Sequence, residues 1–77
     1  MNLRTLERAA RDAAYFCGCD DVYISYTNTE AEYVDMQSWN SNRRIIFSYR
    51  LGVIYDGPEE ISKSNLSRIN EQIFRSA

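Results

Sequence analysis

From residue 45 to residue 55 every odd-numbered position is apolar or aromatic: Ile45, Phe47, Tyr49, Leu51, Val53 and Tyr55. A period of two sustained this long belongs to extended chain, because successive side chains of a strand point to opposite faces. The even positions read Arg44, Ile46, Ser48, Arg50, Gly52, Ile54 and Asp56, a more polar register. The shared parity predicts one long strand bent or bulged at Gly52, with two strands hinged near Arg50–Gly52 as the alternative.

The rest of the chain falls around this segment. Leu3, Leu6, Ala10, Ala13 and Cys17 recur at spacings of three and four, with Ala9, Ala14 and Phe16 widening the stripe. They predict a helix over residues 2–17, capped by Asn2 and stopped by Gly18, whose alanine-rich face packs closely on a sheet. The period then changes to two. Val22, Ile24 and Tyr26 alternate with Tyr23, Ser25 and Thr27, a strand followed by a turn at 27–29. A second strand is predicted from about Glu30 to Ser38, with Val34 and Met36 on one side, Tyr33 and Asp35 on the other. Its acidic outer face suits an edge or one-sided position. Residues 39–42 form the next turn. After Asp56-Gly57-Pro58, a helix is predicted to about Ser76. Pro58, Glu59 and Glu60 suit its first turn, Ser62, Ser64 and Ser67 weaken its early half so that a start at residue 62 or later is the alternative, and Ile61, Leu66, Ile69 and Ile73 point inward with Phe74 at the flank.

The expected fold is α+β: a single domain over 1–77, helix, three-stranded antiparallel meander, helix, with both helices on one face of the sheet. This order resembles, in topology, the double-stranded-RNA-binding domain, whose length is similar. The resemblance implies RNA recognition by a basic start to the second helix and a histidine-bearing loop. Here that helix opens Pro58-Glu59-Glu60 and the chain has no histidine, so no residue is carried over.

The missing histidine removes the Ser-His and Cys-His nucleophile pairs and the usual general base. Cys17-Gly18-Cys19 offers two thiols where a zinc site needs four ligands, so these cysteines are read as small apolar residues, and no metal or cofactor is expected. The first residues, interspersed with arginines and acids, contain no secretory or membrane-spanning run, which makes a cytoplasmic protein with reduced thiols the expectation. No enzyme is expected.

What remains is surface. Residues 20–37 hold Asp20, Asp21, Glu30, Glu32 and Asp35 and no base; residues 38–55 hold Arg43, Arg44 and Arg50 and no acid. That alternation of sign favours recognition of a charged partner. Six tyrosines, one tryptophan and three phenylalanines are many for 77 residues. Tyr23 and Tyr26 have opposite parity on one strand, so the sheet is expected to show aromatic surface on its open side, and tyrosine is a residue that interfaces favour. The expected partner-binding residues are Tyr23, Tyr33, Trp39, Asp20, Asp21, Glu30, Glu32 and Asp35. The function expected of them is a small interaction module, an inhibitor or adaptor acting by surface occlusion, self-association as a homodimer included. By analogy of class it is an accessory protein of a phage or mobile element, such as an inhibitor of a bacterial defence system. The alternative is an RNA- or DNA-binding module using Arg43, Arg44 and Arg50 beside Trp39. The arginines of the first helix, Arg4, Arg8 and Arg11, share one face and would serve either reading.

Overall fold

The computed structural model describes residues 1–75. The order is α1 (Leu3–Phe16), β1 (Val22–Asn28), β2 (Tyr33–Ser38), β3 (Arg43–Ser48), β4 (Gly52–Pro58) and α2 (Lys63–Arg75). The four strands form one antiparallel meander in the order β1-β2-β3-β4.

α1 forms where its stripe predicts. The Asn2 side chain accepts from the Thr5 amide at 3.2 Å. At the far end the Cys19 amide reaches the Ala14 carbonyl and the Gly18 amide the Tyr15 carbonyl, both at 2.9 Å. This double closure needs a left-handed residue, and Gly18 supplies it at φ +81°. Leu6, Ala10 and Ala14 are buried, and the two alanines let the helix lie close on β1, β2 and β3. Leu3 and Phe16, expected in the stripe, are exposed.

The long stripe is two strands, the alternative hinged near Arg50–Gly52, and they form a hairpin that makes the meander four-stranded instead of three-stranded. β3 and β4 are joined by Tyr49-Arg50-Leu51, and Gly52 takes φ +85° at the turn. Ser48 pairs with Gly52, and Phe47 with Val53. Across such a turn paired residues have the same parity and share a face, so a tight hairpin produces the same period-two stripe as one strand. Between Ile46 and Phe47 the register shifts, so that Ile46 pairs with Tyr55. The bulge at Ile54 moves Tyr55 off the face of Phe47 and Val53.

The helices lie on opposite faces of the sheet, which corrects the expectation that both cover one. Leu6, Ala10 and Ala14 pack with Val22, Val34, Met36, Ile45 and Phe47, while Ile69 and Ile73 pack with Ile46, Tyr33, Ile54, Tyr55 and Ile61. With four strands and a helix on each face, the topological resemblance to the double-stranded-RNA-binding domain does not hold. β2 is central, and its Asp35 is buried, because α2 covers the face expected to be solvated.

α2 takes the later of its two expected starts, at Lys63. Pro58 ends β4 instead of opening the helix, and residues 59–62 cross from the sheet. The Ser62 hydroxyl accepts from the Asn65 amide at 3.3 Å, so one of the serines expected to weaken the helix caps it. The predicted end near Ser76 lies outside the described residues. Among the described residues no helix is long and apolar enough to cross a membrane.

Candidate interaction surface

α2 packs on β3, β4 and Tyr33 of β2, leaving the half of its face toward β1 open. That half carries a row of aromatic side chains. Tyr23 pairs with Gln37 across the β1–β2 ladder, Ile24 with Met36, and then the register slips so that Tyr26 pairs with Asp35. The extra residue, Ser25, is a bulge, and it brings Tyr26 round to the face of Tyr23. The expectation that these two tyrosines point to opposite faces is corrected by this one residue. Trp39 lies over Tyr23 with ring centroids 4.2 Å apart and planes tilted by 36°. Tyr26 meets Tyr33 at 5.7 Å, and Tyr33 meets Phe74 of α2 edge-on at 6.1 Å.

Tyr33 packs against the core of Ile46, Ile69 and Ile73, and three of the other rings stand largely outside it. Trp39 is 71% exposed, Phe74 54% and Tyr26 51%. Tyr23 is held upright by its hydroxyl, which donates to Gln37 Oε1 at 2.7 Å. Gln37 also lines a shallow groove of about 590 Å³ with Arg44, Glu59, Glu60, Ile61 and Leu66. Aromatic row and groove therefore adjoin. Phe74 belongs to this surface through its edge contact with Tyr33, which depends on where α2 docks.

The acidic residues divide between structure and solvent. Asp21 accepts from the Ser38 hydroxyl at 2.7 Å, from Asn40 Nδ2 at 2.9 Å and amide at 3.2 Å, and from Cys19 Sγ at 3.2 Å. The Trp39 amide donates to the Asp21 carbonyl at 2.9 Å. Asp21 thus pins the turn that presents Trp39. Glu32 sits in the β1–β2 turn at φ +57°, 3.9 Å from the N-terminal amine. Asp35 is bound by Arg44. Asp20 and Glu30 are exposed at opposite ends of β1, about 25 Å apart at the rise of a strand, so the five acids do not form one patch.

The arginines proposed for nucleic acid are similarly dispersed. Arg43 makes a two-point pair with Asp56 at 2.8 and 2.7 Å and donates to the Cys17 carbonyl at the end of α1 at 2.8 Å. Arg44, on the opposite face, forks onto both Asp35 oxygens and donates to the Glu59 carbonyl at 3.2 Å. Arg50 is exposed in the β3–β4 turn, at the other end of β3. Among the described residues no group of three or more histidine, cysteine, aspartate or glutamate side chains gathers as a metal site.

Hydrogen bonds, the one from Ser38 foremost and that from Cys19 next, hold the Asp21 carboxyl at about 2, below its ordinary 3.8. Burial, with Asp21 beside it, pushes the Cys19 thiol up. The sign for Asp21 follows from linkage: a depressed carboxylate contributes stability above its unfolded value and loses it as pH falls through the folded one. The turn at 38–41 is therefore expected to loosen between about pH 4 and pH 2. Trp39 is the only tryptophan, so its fluorescence should report the change, and Asp21→Asn should remove that transition. A side-chain NMR titration placing Asp21 at its ordinary value would overturn this. Compared with protein-family models, curated proteins and solved structures, the chain matches none.

Proposed function

We propose that this protein is a non-enzymatic binding module that occludes a surface of a protein partner through the aromatic row of Trp39, Tyr23, Tyr26, Tyr33 and Phe74. The observation that carries this reading is the Trp39–Tyr23 ring contact, with Trp39 exposed beside the part of the sheet face that α2 leaves uncovered. Exposed aromatic surface has an energetic cost in water, and rings held by stacking and hydrogen bonds lose little freedom when a partner covers them. The adjoining groove accepts side chains from that partner, with Leu66 and Ile61 as apolar wall and Glu59 and Glu60 at the rim. Inhibition or adaptor activity by occlusion needs nothing more than such a surface. Nucleic-acid binding is the less supported reading, since Arg43 and Arg44 point to opposite faces and are each paired with a carboxylate of the chain, Asp56 and Asp35.

Affinity capture from a native lysate, with the wild-type chain and Trp39→Ala in parallel, tests this. A defined protein retained by the first and lost by the second supports the proposal. Capture of nucleic acid that weakens steeply with salt, about tenfold or more over a few-fold rise in concentration, would replace it with the alternative.

A further inference from the structure

The strand order leaves two edges, β1 and β4, each with one neighbour. They are guarded differently. β4 carries Asp56, Gly57 and Pro58, and proline has no amide to donate. β1 reads Val-Tyr-Ile-Ser-Tyr-Thr-Asn, seven residues with no charge, proline or glycine. Apart from the bulge at Ser25 and the Arg11 guanidinium on the Val22 carbonyl, such an edge is a template for another strand.

We propose that β1 is a self-association edge. Two copies of this chain pair their β1 strands antiparallel about a two-fold axis near Ser25, forming one eight-stranded sheet.

The charges above this edge favour a second copy as the occupant. α1 runs antiparallel to β1: Glu7 accepts from Thr27 near the end of the strand at 2.7 Å, and Arg11 donates to the Val22 carbonyl at its start at 3.3 Å. The helix face formed by Arg4, Glu7, Arg8, Arg11 and Asp12 lines a groove of about 440 Å³ along this side. Arg4, Arg8 and Asp12 have no ion pair or hydrogen-bond partner within the described residues beyond the helix's own backbone. Arg4 and Asp12 stand about 12 Å apart along the helix. A two-fold axis through the middle of β1 reverses the row about Arg8, so Arg4 of each copy meets the partner's Asp12 and the two Arg8 side chains flank the axis. An isologous contact requires this kind of self-complementarity. The same axis sets the Tyr23 and Tyr26 rings of both copies side by side on the α2 face. The pairing does not depend on the binding proposal above.

Sedimentation of the full chain over a concentration series tests it. A monomer–dimer equilibrium is expected, with amide exchange in β1 slowing as the dimer fills. Ser25→Lys places two like charges beside the axis and should give a monomer with an unchanged circular dichroism spectrum. Arg4→Asp should weaken the dimer about tenfold, and Arg4→Asp with Asp12→Arg should restore it. The restored double variant separates a specific contact from misfolding. A strict monomer at millimolar concentration overturns the inference, as does a dimer indifferent to Ser25→Lys and to the charge exchange. Trp39→Ala should leave the dimer intact while abolishing partner capture, so the two proposals fail separately.

Discussion

Arg44→Ala is expected to destabilise the domain by about 3 kcal/mol, the range found when one partner of a buried ion pair is removed. Asp35 lies on a central strand with 8% of its surface exposed, and Arg44 satisfies both its carboxylate oxygens. Without the guanidinium, a charge remains between β2 and the start of α2 with little water to solvate it. The same guanidinium holds the Glu59 carbonyl, so the segment leading into α2 loosens as well. For a domain of this size, with a total stability of only about 5 kcal/mol, that loss approaches the limit of folding. Urea denaturation measures it. The double variant Asp35→Val, Arg44→Val should lose less than Arg44→Ala, because an apolar pair leaves no charge to bury. A cost under about 1 kcal/mol for Arg44→Ala would show that the pair behaves as an exposed one. This result also governs any nucleic-acid assay, since a binding defect in Arg44→Ala would report a damaged fold.

The second large effect is on binding. Trp39→Ala should cost at least about 2 kcal/mol of partner affinity, roughly thirtyfold, as expected for a central aromatic anchor. Its own stability should change by less than about 1 kcal/mol, because the ring is mostly exposed and the turn beneath it is held by Asp21. Tyr23→Ala should weaken binding too, and the double variant should cost less than the sum, because the two rings touch. Phe16→Ala is the control: Phe16 is 85% exposed but belongs to α1, on the opposite side of the sheet. Titration calorimetry with the captured partner decides the matter. Equal losses from Phe16→Ala and Trp39→Ala would remove the aromatic row from its role.

Local signals were legible wherever the cause was local. The Asn2 cap, the Gly18 stop and the parity of Val34 and Met36 against Tyr33 and Asp35 need only the chain's immediate neighbours. Trp39, Tyr23 and Tyr33 were named from composition and parity, and the structure brings them onto one face. Phe74 and Tyr26 join them through the docking of α2 and the bulge at Ser25, which no local pattern announces. The acids and arginines were read as patches because they are close in sequence. Strand alternation places Arg43 and Arg44 on opposite faces, and the length of β1 separates Asp20 from Glu30.

The α+β class, both ends of α1, the course of β1 and the end of β2 follow from the sequence, because caps, periodicity and glycine conformations act within a few residues. Which face each helix covers, which of the two readings of the long stripe holds and which aromatics stay exposed depend on contacts between segments distant in the chain. The physical reason is the period of two: one bulged residue reverses every side chain beyond it. Where that residue falls is settled by pairing with strands far along the chain.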